Sequence, residues 1–257
     1  IVEGESPTTM AQSTGLGIIE MSMVLKNISP DFVIVVGDRF EMISIAIAAA
    51  YMNIRIAHTM GGEVTGSIDE SIRHAITKFS HVHFPANEEA RDRIIKLGEN
   101  EKMVFNVGCP RIDLVAETLK KNSVIEMNKM LIKYGGVGQP IDIERPFLIV
   151  CQHPVTTEYE NNLRHIKQTL RALSELNIQT LMLWPNIDAG SDDISTGIRT
   201  FRESENPDWL YVVKNLPSEF YFHLMNQTKC LIGNSSAGIR EGSFIGTPVV
   251  NIGIRQM

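Results

Sequence analysis

No stretch of this chain runs apolar for anything near the roughly 18 residues a membrane-spanning helix requires, and no signal-peptide pattern opens it. No membrane partner is expected, and the expected compartment is the cytoplasm. Positive charge is not in excess either. Lys and Arg number 24 against 30 Asp and Glu, a net charge of −6, which excludes a broad basic field for nucleic acid. An anionic ligand would have to be held by a local cluster. Cysteine is scarce. Cys109, Cys151 and Cys230 are odd in number, widely spaced and each in or beside an apolar run, which reads as reduced packing residues, not a disulfide framework.

Other absences narrow the field further. No P-loop or dinucleotide fingerprint is matched, and there is no short repeat or low-complexity tract. His81 and His83 fall on one face of a strand, but without a third ligand they read as packing. Glu70-Ser71-Ile72-Arg73-His74 lacks the first His of a zinc-protease helix. Neither a metal nor a redox cofactor is expected. The chain starts at Ile1 and stops just after a strand, so both ends are expected to be cut.

What is there is an alternation of short apolar runs and helical segments. Residues 1–30 hold a helix that Thr14 can cap, closed by Pro30. Phe32-Val33-Ile34-Val35-Val36 reads as a strand buried on both faces of a parallel sheet. A buried helix over 42–52, a strand over 54–57, a helix opened by the Ser67/Glu70 capping box, a strand over 82–84, a helix over 87–97 and a strand over 103–107 follow. After a looser stretch with helices near 112–121 and 123–133, Gly135-Gly136-Val137-Gly138-Gln139-Pro140 reads as an interdomain linker. Strands over 147–151, 180–183, 210–213, 230–232 and 248–252 then alternate with helices near 160–175, 192–204, 217–226 and 237–245. The expectation is α/β throughout: a Rossmann-like domain over 1–140 and a second over 141–257, with ligands at the carboxyl ends of the strands in a cleft between them.

Polar residues gather at those strand ends. The first half supplies Asp38, Arg39, Glu41, His58, Glu63 and Asp69; the second supplies His153, Asn186, Asp188, Ser235 and Ser236. Gly233-Asn234-Ser235-Ser236 sits between a strand and a helix, where backbone N–H groups, hydroxyls and the helix's positive end suit a phosphate or diphosphate. Each position also has a plainer reading. The serine turn suits an ordinary N-cap, Asp38 a turn former, Asp69 and Arg73 a surface i,i+4 ion pair, and His153 a loop histidine. Ser235 lacks the flanking pattern of a hydrolytic nucleophile.

Taken together, Gly37-Asp38-Arg39-Phe40-Glu41, Gly61-Gly62-Glu63-Val64-Thr65-Gly66, Asp69-Glu70-Ser71-Ile72-Arg73-His74-Ala75-Ile76, Gln152-His153-Pro154-Val155-Thr156-Thr157, Pro185-Asn186-Ile187-Asp188-Ala189-Gly190 and Gly233-Asn234-Ser235-Ser236 resemble the UDP-N-acetylglucosamine 2-epimerases. The likeness is to the hydrolysing branch that supplies N-acetylmannosamine or related sugars for sialic-acid-type biosynthesis. The resemblance implies the GT-B arrangement of two Rossmann-like domains and a UDP-sugar substrate. It further implies a homo-oligomer (dimer or tetramer) and elimination through a 2-acetamidoglucal followed by water addition. It makes Asp38, Glu63 and Asp69 acid/base candidates, with Arg73 orienting or neutralising them. His153 falls to the leaving phosphate, Arg39, Ser235, Ser236 and Arg255 to the diphosphate, Glu241 to a ribose hydroxyl and Asn186 to the nucleotide side. Met60 departs from the pattern, since many relatives carry a glutamate directly before this Gly-Gly. The alternatives are the non-hydrolysing epimerase branch, a GT-B glycosyltransferase using the same donor, and a UDP-sugar-binding module with impaired catalysis.

Overall fold

The structure, a computed structural model, describes residues 6–65, 68–121, 127–155, 160–186 and 188–256. It divides into two compact units, with the break between Cys109 and Pro110.

The first unit begins with α1 (Pro7–Ile28). Ser6 caps it: its hydroxyl accepts the Thr9 N–H at 3.1 Å, and the Thr9 hydroxyl accepts the Ser6 N–H at 2.9 Å. Pro7 occupies the first helical position, where no N–H is missed. Thr14, the expected cap, lies inside the helix with its hydroxyl donated to the Met10 carbonyl.

There follow β1 (Phe32–Val36), α2 (Phe40–Tyr51), β2 (Arg55–Thr59), α3 (Ile68–Phe79), β3 (Val82–Phe84) and α4 (Glu88–Lys96). The strands form one parallel sheet in the order β1-β2-β3. The core gathers Leu25, Val35, Ala46, Ala48, Ala49, Ile56 and Ile76. Small alanines along α2 let that helix lie close between α1 and the sheet. Two sequence expectations change here. β1 buries only Val35 and leaves Phe32, Ile34 and Val36, which alternate onto one face, exposed. The strand expected over 103–107 reduces to a single bridge between Val104 and His83. Ser67, half of the expected capping box, lies outside the described residues; Glu70 instead accepts the Thr65 N–H at 2.8 Å.

The second unit opens with α5 (Pro110–Lys120) and α6 (Met127–Tyr134), then β4 (Leu148–Cys151), α7 (Asn162–Leu176), β5 (Thr180–Leu183), α8 (Ser191–Glu205), β6 (Leu210–Val213), α9 (Ser218–Gln227), β7 (Cys230–Gly233), α10 (Ser236–Ile239), α11 (Glu241–Ile245) and β8 (Val249–Asn251). Its five parallel strands run β6-β5-β4-β7-β8. Strand alternation explains the layers. Ile149, Leu181, Val213 and Leu231 point to one face, with Val115 of α5, Leu131 of α6 and Phe220 of α9. Leu148, Val150, Met182 and Val212 point to the other, with Ile166 and Leu170 of α7 and Ile194 of α8. The chain winds outward from β4 in one direction to β5 and β6 and in the other to β7 and β8. The gap outside the carboxyl ends of β4 and β7 is therefore a topological switch point, the usual ligand position of such sheets.

This unit also absorbs residues expected on the other side of the boundary. Residues 135–140 do not serve as a linker. Val137 pairs with Val212 of β6, its N–H donating at 2.8 Å and its carbonyl accepting at 3.0 Å. With Val115 and Leu131 already in this core, the chain is committed to the second unit from Pro110, not from residue 141.

Candidate functional site

In the first unit the loop after β1 carries Asp38 and Arg39. Asp38 is paired with the guanidinium of Arg73, whose other terminal nitrogen donates to the Glu63 carbonyl at 2.8 Å. Arg73 is almost fully buried, so it is not the surface partner its spacing from Asp69 suggested. It ties the β1 loop to the β2 loop. Beneath it lies His58, wholly buried at the end of β2. Its Nε2 stands 2.9 Å from the Gly37 carbonyl oxygen and therefore carries the proton. Nδ1 faces the Thr77 hydroxyl at 3.2 Å. Burial pushes this imidazole down to about 4, with the Gly37 bond and the Asp38 charge opposing and the Arg73 charge assisting. A neutral His58 is thus a fixed strut under the acid loop.

Asp69 lies half-buried in the first turn of α3, and Glu63 half-buried in the β2 loop. Arg39 and Glu41 form a paired fork, with nitrogen–oxygen separations of 3.2 and 3.3 Å. Met60 adopts a left-handed φ of 61°, uncommon for a side chain of its size. Gly62 follows with φ 79°, and a Cβ there would collide with the Ala90 carbonyl. Gly62 is thus demanded by the α4 backbone behind it, while a Cβ at Gly61 would press on the His58 ring.

At the other, amino ends of these strands a cavity of about 430 Å³ is lined by Phe32, Arg55, His81, His83 and Glu99 among others. His83 lies 3.3 Å from Glu99, which binds Lys78 at 2.5 Å. Among the described residues, no group of three metal-ligating side chains occurs.

In the second unit, His153 follows β4 and the serine turn follows β7, flanking the switch point. Strands β4 and β7 approach so closely there that Gly233, with φ 141°, has no room for a Cβ beside the Cys151 carbonyl. His153 Nδ1 accepts the Asn186 N–H at 3.2 Å, which leaves the proton on Nε2, 3.3 Å from the Cys151 sulfur. Burial raises the Cys151 thiol to about 11, against a hydrogen bond with Ser235 and the nearby Arg255 charge. It is a protonated packing group and no nucleophile.

Ser235 caps α10, its hydroxyl accepting the Ala237 N–H at 3.3 Å. Ser236 is the first residue of that helix and is half-buried. The single helix expected over 237–245 is broken at Arg240 into two short pieces. Only first-turn N–H groups and hydroxyls, and no long helix dipole, can serve an anion here. Arg255 places its guanidinium 3.1 Å from the Asn234 carbonyl oxygen and 4.0 Å from the Asp188 carboxylate. Glu241 is buried, with one carboxylate oxygen 2.7 Å from the Arg111 guanidinium and no hydrogen-bond partner for the other among the described residues. Arg111 also donates to Ser218 at 3.1 Å and lies over the Phe222 ring.

Asn234 and Arg111 were not singled out from the sequence. Asn234 stood inside a recognised motif without a role. Arg111 had no local signal, because its partner is 130 positions away. Chemically, the first unit presents carboxylates, one of them, Asp38, held by a buried arginine. The second presents an N–H donor imidazole, hydroxyls, a cation and a carboxylate acceptor around a switch point, a set suited to a phosphorylated, hydroxyl-bearing ligand.

Two units built on parallel sheets with polar strand ends define an α/β protein of Rossmann-like domains, and solved structures share this fold. The UDP-GlcNAc 2-epimerase of Neisseria meningitidis bound to UDP-GlcNAc matches with a TM-score of 0.79 at 17% identity, over 98% of this chain and 66% of that one. The family model of UDP-N-acetylglucosamine 2-epimerase matches residues 2–257, and the chain belongs to that family. It is 34% identical, over its whole length, to the GDP/UDP-N,N'-diacetylbacillosamine 2-epimerase (hydrolyzing) of Campylobacter jejuni. It is 33% identical, over 97% of its length, to the UDP-N,N'-diacetylbacillosamine 2-epimerase (hydrolyzing) of Legionella pneumophila. The chain spans 65% and 63% of the lengths of those two relatives.

Proposed function

We propose that the protein is a hydrolysing UDP-sugar 2-epimerase that releases UDP and a 2-epimerised N-acetyl amino sugar. The observation that carries this reading is the 34% identity, across the entire chain, to a relative named for that activity. The substrate is a UDP-N-acetylamino sugar, either UDP-N-acetylglucosamine or its diacetylated bacillosamine analogue, and the product serves sialic-acid-type biosynthesis. The enzyme works in the cytoplasm as a homo-oligomer.

In the proposed reaction a carboxylate among Asp38, Glu63 and Asp69 removes the proton at C2 while the C1–O bond breaks and UDP leaves with its electron pair. The product of that step is a 2-acetamidoglucal. Water then adds its oxygen to C1, and C2 regains a proton on the opposite face. A C2–H is weakly acidic, so the base must be held in place. Arg73, locked between the Asp38 carboxylate and the Glu63 carbonyl, does this for Asp38. The departing diphosphate rests on Ser235, Ser236 and the charge of Arg255, with Arg39 adding a second cation, and takes a hydrogen bond from His153 once its Nε2–H turns from the Cys151 sulfur it faces in the free site. Glu241 accepts from the ribose hydroxyls through the oxygen that Arg111 leaves open, and Asn186 lies on the nucleotide side.

Met60 supports a second reading, a UDP-sugar-binding module with impaired catalysis, because its side chain exchanges no proton. Deuterium incorporation at C2 in heavy water separates the two. In the epimerase reading Glu63 compensates. Glu63→Gln should then lower turnover at least tenfold, and full turnover in that variant with a sharp rise in Met60→Glu would end this assignment.

A further inference from the structure

The geometry points to Asn234 as a positioning residue that sets the imidazole of His153 against the serine turn, an inference that rests on the functional reading above. Asn234 is 2% exposed. Its side-chain oxygen accepts the His153 N–H at 2.7 Å, and its side-chain nitrogen donates to the His153 carbonyl at 2.8 Å. Both bonds go to the backbone of one residue 81 positions away. A primary amide of this length offers one acceptor and one donor in a plane and so replaces a missing strand partner. Aspartate lacks the donor, and glutamine adds a methylene to a fully packed gap.

The residue is itself held fast. Its own N–H donates to the Cys151 carbonyl at 3.1 Å, and its carbonyl accepts from Arg255 at 3.1 Å. The next residue, Ser235, caps α10. One side chain therefore sets the distance between the loop that carries the imidazole and the turn that carries the hydroxyls. The Asn186 N–H fixes the ring itself, with the proton on Nε2. Without the clamp His153 keeps its tautomer but loses its place, and a displacement of about 1 Å costs on the order of 100-fold in rate.

The test is a double-mutant cycle in the full-length enzyme, read as kcat, KM and affinity for UDP, with thermal melting of each variant. Asn234→Ala and Asn234→Asp should lower kcat by 10- to 100-fold while UDP affinity, carried by the serine turn and Arg255, changes less than threefold. On a His153→Ala background the same changes should lower kcat no further, because the group they position is gone. Additive losses in the two backgrounds would overturn the inference, as would equal falls in kcat and UDP affinity or a failure of both variants to fold. If the unsubstituted enzyme neither binds UDP nor releases it from a UDP-sugar, the functional reading itself falls, and this inference with it.

Discussion

A neutral histidine buried beneath the acid loop makes stability depend on pH. Above pH 6.5 the His58 ring is uncharged whether the chain is folded or not. Below it the unfolded ring takes a proton, while the folded one resists until about 4. Stability attributable to His58 is therefore present above pH 6.5 and lost as pH falls toward 4, by about 3 kcal/mol at ~1.4 kcal/mol per pH unit. Denaturant unfolding at pH 7.5 and 4.5 should show this slope, and His58→Gln should flatten it by a comparable amount. An unchanged slope would mean the ring is not held neutral by burial. Gly233→Ala meets both a left-handed φ and the Cys151 carbonyl and should cost about 2–5 kcal/mol, measured as a shift in denaturant midpoint. Arg73→Met should lower turnover by at least 100-fold, because it leaves Asp38 without its partner and frees the β2 loop. Steady-state kinetics with the melting temperature recorded alongside checks this. Position was legible at this scale, because Asp38, His58, His153 and the serines stand out as polar residues closing apolar runs, and they do lie at the ends of β1, β2, β4 and β7. The struts were not legible as struts. His58 works through Gly37 and Thr77, and Asn234 through His153. Nothing local in the sequence records a partner 19 to 81 positions away.

At the scale of elements, β4, β5 and β6 of the second unit were readable because they are buried on both faces and therefore almost wholly apolar. The strands over 180–183 and 210–213 match β5 and β6 residue for residue. Where one face of a strand is left uncovered, the same signal misleads. β1 has an apolar composition yet exposes Phe32, Ile34 and Val36, which alternate onto one face, since composition does not say which face a helix will cover. The Gly-rich run before β4 was misread for a related reason: glycines that permit close approach to β6 look like glycines that permit flexibility. Helix α6 settles which unit owns this region. Leu131 is fully buried against the second sheet's helices, so Leu131→Ala should destabilise by about 2–5 kcal/mol. Hydrogen exchange should speed up in β4 through β8 and stay unchanged in β1 to β3. Faster exchange confined to the first sheet would assign α6 to the other unit.

For the molecule as a whole, the alternation of strand and helix was enough to give two units built on parallel sheets, of which the second is doubly wound, and six short motifs in order were enough to point to the family. The division between the units was harder to read, because a boundary is set by which core a helix fills and not by where glycines cluster. Each unit carries its own part of the proposed chemistry: carboxylates, with Asp38 braced by Arg73, in the first, and an imidazole, hydroxyls and Arg255 gathered at a switch point in the second. The most direct measurement is product analysis of the full-length protein in heavy water, with UDP-N-acetylglucosamine and UDP-N,N'-diacetylbacillosamine supplied separately and no acceptor present. The account predicts equal amounts of UDP and free 2-epimerised sugar from at least one of them, with deuterium at C2. UDP retained on the sugar with no deuterium at C2 in either case would contradict it.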